Sequence, residues 1–170
     1  MQLNKLQNAK DLEQAFQLWN VALYRYIYAR VRDQGQAEDI TQEVFIKAWQ
    51  ARKSFDKHKS SLKNWLYVIA INTIRDYLRS QLHRPELLKL EEELPSDLNL
   101  AQNVQQQEIV GFVFYKLKLL SDREQELLLL RYREDFSVKE IAHILGIEYS
   151  ATKVALHRAL EKLRKLCEGM

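Results

Sequence analysis

Ser137-Val138-Lys139-Glu140-Ile141-Ala142-His143-Ile144-Leu145-Gly146-Ile147-Glu148-Tyr149-Ser150-Ala151-Thr152-Lys153-Val154-Ala155-Leu156-His157-Arg158-Ala159-Leu160 is the stretch that decides the fold. Ser137 and Glu140 form an S-x-x-E capping box, the local signature of a helix start. The spacing predicts a short helix over Val138–Leu145, a turn at Gly146-Ile147 and a longer helix from about Ser150 to Leu166. Gly146 can take the positive φ that closes such a turn, and Ala142 is small where the two helices approach. In the second helix Thr152, Leu156, Ala159/Leu160 and Leu163 share an inward face, while Lys153, His157 and Arg158 fall outside it. From Lys153 to Lys165 there are five basic residues and one acidic, Glu161. This is helix-turn-helix arithmetic, in which the second helix lies in the DNA major groove. The competing reading of these residues alone is a capped helical hairpin.

Upstream, Leu120-Ser121-Asp122-Arg123-Glu124 supplies another capping box, and its helix runs to about Arg131–Arg133. The apolar stretch Ile109–Leu119 reads as a helix interrupted by Gly111. Further back, both prolines, Pro85 and Pro95, and the stretch Gln102-Asn103-Val104-Gln105-Gln106-Gln107 fall within 81–107. That piece has 2 Lys+Arg against 5 Asp+Glu. Proline, polarity and like charge mark an acidic, flexible linker. Residues 1–80 carry 13 Lys+Arg against 8 Asp+Glu and hold three amphipathic patterns. The first covers 10–31, with Leu12, Phe16, Trp19, Leu23, Tyr26 and Ile27 at helical spacing. Asp33-Gln34-Gly35-Gln36 is expected to break it. The second covers about Ala37–Arg52, with Ile40, Val44, Ala48 and Ala51 on one face, Phe45 and Trp49 on another, and Glu38 and Asp39 in the first turn. The polar stretch Ser54–Ser61 is a loop whose end caps a third helix, about Leu62–Ser80. The expected fold class is all-α: two small helical domains, 1–80 and 108–170, joined by the linker 81–107.

Composition agrees. With 4 Gly and 2 Pro in 170 residues, a sandwich or barrel is nearly excluded. No apolar run approaches the ~18 residues of a membrane span. Met1-Gln2-Leu3-Asn4-Lys5 has no signal-peptide pattern, so a cytoplasmic protein is expected. A lone cysteine, Cys167, excludes an internal disulfide and any CxxC site. The histidines His58, His83, His143 and His157 are scattered, and no P-loop or nucleophile motif occurs, so no metal, cofactor or catalytic residue is assigned.

Two further clusters carry chemistry. Lys47, Arg52, Lys53, Lys57, Lys59, Lys63, Arg75 and Arg79 face only Asp56 and Asp76 in opposition, with Trp49, Phe55, Trp65, Tyr67 and Tyr77 between them. Basic charge draws phosphates and aromatic faces stack on unpaired bases, although a solvated basic face over an aromatic core has the same pattern. Asp39, Gln42, Glu43 and Gln50 lie on the polar side of the second helix. They read as a solvated helix face or a protein-binding patch.

The blocks together resemble a bacterial RNA polymerase sigma factor of the extracytoplasmic-function (ECF) type. Ala37-Glu38-Asp39-Ile40-Thr41-Gln42-Glu43-Val44-Phe45-Ile46-Lys47-Ala48-Trp49 is similar to the region-2 helix that docks on the polymerase. Asn64-Trp65-Leu66-Tyr67-Val68-Ile69-Ala70-Ile71-Asn72-Thr73 is similar to the helix facing the melted −10 DNA. Leu120–Glu124, Glu140–Ile147 and Leu156-His157-Arg158-Ala159 resemble region 4. Ala155 departs from the family, which usually has a basic residue there. The resemblance implies core polymerase docking, on the β′ clamp, by Asp39, Gln42 and Glu43, with a further contact between the chain and the β flap. It implies −10 strand contacts by Lys57, His58, Lys59, Ser60, Ser61, Trp65, Asn72 and Arg75. It implies −35 duplex contacts by Tyr149, Ser150, Lys153, His157, Arg158 and Lys162. The implied partners are core RNA polymerase, promoter DNA and an anti-sigma factor, with no small-molecule substrate and no catalysis by the chain itself. The alternative is a LuxR-like helix-turn-helix regulator, although residues 1–80 show no strand–helix alternation that would suit its usual partner domain.

Overall fold

The structure, a computed structural model, describes residues 5–82 and 104–168, the side chains of 82 and 104–110 excepted. Among the described residues there are seven α-helices, one 3-10 turn and no strand. The chain divides into two compact units, Met1–Glu91 and Glu92–Met170. Pro85, Pro95 and most of the expected linker lie outside the described residues. Val104–Gln107, expected as its last residues, begin helix α4 (Val104–Leu117). Glutamine is a good helix former, and three in succession extend the apolar segment backwards.

The first unit packs α1 (Ala9–Val31), α2 (Gln34–Gln50) and α3 (Leu62–Leu82) against one another. Asn8 and Asp11 form a capping box at the start of α1, and the buried Asp11 carboxylate also accepts from the Gln7 N–H at 2.8 Å. The expected four-residue break after α1 is only two residues long. Arg32 turns left-handed at φ 57°, and Asp33 immediately caps α2 by accepting from the Gln36 N–H at 2.7 Å. Gly35 is therefore helical, and Glu38 and Asp39 stand beyond the first turn. The cap residue Asp33, not they, provides the negative charge at the helix start.

Ile40, Val44 and Ala48 are buried as the periodicity predicts, with Leu23, Ile27, Leu66 and Ile74. Tyr26 and Tyr67, both fully buried, meet edge-on at 5.5 Å between ring centres. Ala51, expected on the apolar face, is exposed because it already serves as the C-cap of α2.

In the second unit α5 (Asp122–Tyr132) and α6 (Val138–Leu145) start from the two expected capping boxes, Ser121/Glu124 and Ser137/Glu140. α7 (Tyr149–Cys167) follows Gly146, which is left-handed at φ 64°. Glu148 is its N-cap, accepting from the Ala151 N–H at 3.0 Å. Leu127, Leu130, Ile141, Thr152, Leu156 and Ala159 form the core. Leu160, read as inward, is 38% exposed. Four residues beyond Leu156 it has drifted about 40° round the helix, off the stripe that Ala159 and the half-buried Leu163 continue.

Candidate nucleic-acid interface

Helix α7 presents its polar side to solvent because Thr152, Leu156 and Ala159 are held inward. The Thr152 hydroxyl, fully buried, is satisfied by donating to the Glu148 carbonyl at 2.9 Å. Tyr149, Ser150, Lys153, His157, Arg158 and Lys162 are all exposed on this one helix. Two of them have intramolecular work. Ser150 donates its hydroxyl to the Glu148 carboxylate. Hydrogen bonds from Ser150 and Ala151 hold that carboxyl below its usual range. Lys162 bridges to Glu124 at the start of α5, 3.0 and 3.2 Å from its two carboxylate oxygens. Partial burial pushes the Glu124 carboxyl up, but hydrogen bonds from Lys162 and Ser121 and the Lys162 charge outweigh it and leave it lowered. Lys162 thus ties α7 to α5 while its side chain remains half exposed. The sequence gives no sign of this bond, which joins residues 38 apart.

In the first unit the polar loop is shaped by Asp56. Its carboxylate accepts from the His58 N–H at 2.9 Å, and its carbonyl accepts from the N–H groups of Lys59 and Ser60 at 3.0 and 3.2 Å. Phe55 anchors one end of the loop against Trp65, with ring centres 5.4 Å apart. Ser61 anchors the other end as the cap of α3, its hydroxyl accepting from the Asn64 N–H at 3.1 Å. Lys57, His58 and Lys59 stay fully in solvent and Ser60 partly so. Of the expected strand-facing residues, Asn72 is exposed, and Trp65 and Arg75 are partly exposed. Trp65 and Asn72 are seven residues apart and so share one face of α3. Tyr67, read among the interleaved aromatics, is fully buried against Tyr26 and offers no face to a base. An aromatic face that sequence reasoning left without a specific role is Trp49, under the Arg52 guanidinium at 4.0 Å.

Asp39, Gln42 and Glu43 are exposed along one side of α2. Glu43 pairs with Lys47 at 2.7 Å, and the Lys47 ammonium also donates to the Thr73 hydroxyl on α3 at 3.2 Å. The carboxylate side of α2 is thereby linked to the helix that carries Asn72. No group of histidine, cysteine and carboxylate side chains among the described residues is arranged to hold a metal. No helix among them is long and apolar enough to cross a membrane.

These features coincide with what is found among known proteins. The family model for Sigma-70 region 2 matches residues 16–84, and that for Sigma-70 region 4 matches 116–163. The ECF RNA polymerase sigma factor SigM of Bacillus subtilis (strain 168) is 30% identical over 158 residues, covering 91% of this chain and 94% of SigM. SigW of the same organism is 31% identical over 153 residues, covering 84% and 81%. The sigma factor RpoE of Bartonella quintana, solved with the anti-sigma factor NepR, shares the fold at TM-score 0.75 and 23% identity, covering 95% of this chain and 99% of RpoE. Two regions of a sigma factor, in order and separated by an unmatched stretch, define the class. The chain belongs to the ECF RNA polymerase sigma factor family. The LuxR-like alternative is not favoured, since it leaves residues 16–84 unexplained.

Proposed function

We propose that the division of labour within this sigma factor is as follows. Residues 1–80 dock on core polymerase and hold the melted −10 strand, 81–107 form an acidic tether, and 108–170 read the −35 duplex. Asp39, Gln42 and Glu43 engage the β′ clamp, and the second unit contacts the β flap. The exposed cations of the Lys57–Ser60 loop, with Trp65, Asn72 and Arg75 on α3, track the unpaired non-template strand, where stacking is worth ~1–3 kcal/mol per base. Tyr149, Ser150, Lys153 and His157 face the major groove, with Arg158 and Lys162 nearer the phosphates. The chain performs no catalysis of its own; phosphodiester chemistry belongs to the polymerase. It works in the cytoplasm, and its partners include an anti-sigma factor, as in the complexes of CnrH with CnrY and of RpoE with NepR.

The observation that carries this reading is the outward face of α7, basic and exposed opposite a core of Thr152, Leu156 and Ala159. The test is reconstitution. Core polymerase with the full chain should initiate on a promoter selected from a randomised library, and core alone should not. A chain that binds DNA without endowing core with promoter-specific initiation would refute it.

A further inference from the structure

One residue at the middle of the outward face of α7 is not a cation. It is Val154, 49% exposed. At about 100° per residue, Thr152 and Leu156 lie some 160° round from it on either side and Ala159 about 140° round. All three are buried. Within about 60° of Val154 lie Ser150, Ala151, His157 and Arg158, each exposed, and Glu161, two turns on and partly exposed. Lys153 stands about 100° away, on the flank. A single exposed apolar residue ordinarily needs no explanation. This one is β-branched, on an exposed helix face where such residues lose side-chain freedom. It also sits among the exposed Lys153, Arg158 and Lys162. The nearby carboxylates are committed elsewhere: Glu148 to the helix cap, and Glu161 to Arg164 at 3.7 Å.

We propose that Val154 is a specificity-determining residue that reads the C5-methyl group of a thymine in the −35 duplex. This rests on the reading of α7 as the helix that enters the major groove. Arg158 and Lys162 hold phosphates, so the middle of the outward face meets the base edges. An isopropyl group there has no hydrogen bond to offer, and the thymine methyl is the one apolar group the major groove displays. Covering one methyl group is worth a factor of about four in affinity. Ala151, one turn before Val154, extends the same apolar surface.

The test uses holoenzyme reconstituted from core polymerase and the full chain. A randomised −35 library first yields the preferred promoter. Each −35 thymine is then replaced by deoxyuridine, which removes only the methyl group, and affinity is measured for wild type, Val154→Ala and Val154→Ile. At one position the wild type should lose about fourfold, Val154→Ile should lose a similar amount, and Val154→Ala should lose less than twofold. Because Val154 is exposed, Val154→Ile should keep the wild-type unfolding midpoint and Val154→Ala should match or slightly exceed it, alanine being the better helix former. A methyl effect that is the same in Val154→Ala, or absent at every thymine in the wild type, overturns the proposal while leaving α7 as the DNA-reading helix. A library with no −35 preference overturns that reading as well.

Discussion

Reversing the charge of the exposed side of α2, with Asp39→Arg and Glu43→Arg together, separates docking from folding. The cost to the fold follows from the pairs present. Glu43 and Lys47 are an exposed i,i+4 ion pair at 2.7 Å, with side chains 49% and 39% exposed. Such a pair contributes about 0.3–0.5 kcal/mol, and the Arg–Lys pair replacing it is unfavourable by a similar amount. Positions 39 and 43 change from two like negative charges to two like positive charges, which leaves their mutual repulsion as it was. The unit should lose only ~1 kcal/mol. At an interface with a basic partner, two attractive contacts become two repulsive ones. Like-charge juxtaposition costs several kcal/mol, so core affinity should fall by about a hundredfold or more. Titration of labelled chain with core polymerase reads the affinity, and circular dichroism with urea unfolding reads the fold. Lys47→Met is the control. It removes the same intramolecular pair, and the Lys47–Thr73 hydrogen bond with it, but keeps both carboxylates, so it should lose a similarly small amount of stability and retain core affinity. Core affinity within about threefold of wild type for a folded double variant would refute the docking assignment. Equal loss of core binding in Lys47→Met would show that the pair, not the carboxylates, is what matters.

Three further outcomes are expected. Gly146→Ala places a Cβ in open space, but at φ 64°, so its cost is conformational, about 1–2 kcal/mol; Gly146→Asn should cost less by thermal unfolding. Replacing Lys57–Ser60 with Gly/Ser while keeping the cap Ser61 should abolish promoter melting, read by permanganate reactivity, and spare core binding; normal melting would reduce the loop to a connector. The lowered Glu124 carboxyl contributes stability that is present above its unfolded value and lost as pH falls through its folded one. The stability gap between wild type and Glu124→Gln by urea unfolding should therefore be larger at pH 7 than at a pH below the ordinary carboxylate value, and a gap independent of pH would contradict the Lys162–Glu124 bond.

What the sequence made legible is what short-range chemistry determines. The capping boxes at Ser121/Glu124 and Ser137/Glu140, the turn at Gly146 and the length of α6 each depend on residues within four positions of one another. Reading them therefore required no knowledge of the tertiary fold. The start of α2 was misread for a local reason too. Gly35 and its polar neighbours look like a turn unless Asp33 is recognised as a cap three residues before Gln36. Partners distant in the chain left no such trace. Tyr67 is in register with the buried Ala70, Ile71 and Ile74, whereas Trp65 shares its face with the exposed Asn72, a distinction that counting aromatics among cations passes over. An aromatic counted toward a nucleic-acid surface proved to be core.

Lys162 shows why a residue's chemistry does not by itself assign its role. Read along the chain, it is one of five cations on a DNA-facing helix, and its substitution should weaken binding to every sequence alike and lower the salt slope by about one unit. The bond to Glu124 adds a second candidate effect, because the same ammonium ties α7 to the start of α5. The two roles part company in Glu124→Gln. That variant keeps the phosphate-seeking charge and releases the tie. If Lys162 acts on phosphates alone, Glu124→Gln retains the wild-type salt slope and the wild-type −35 preference. If the tie sets the helix angle, the slope persists but the preference broadens, because a helix free to tilt presents Ser150, Lys153 and Val154 to the base edges in more than one register.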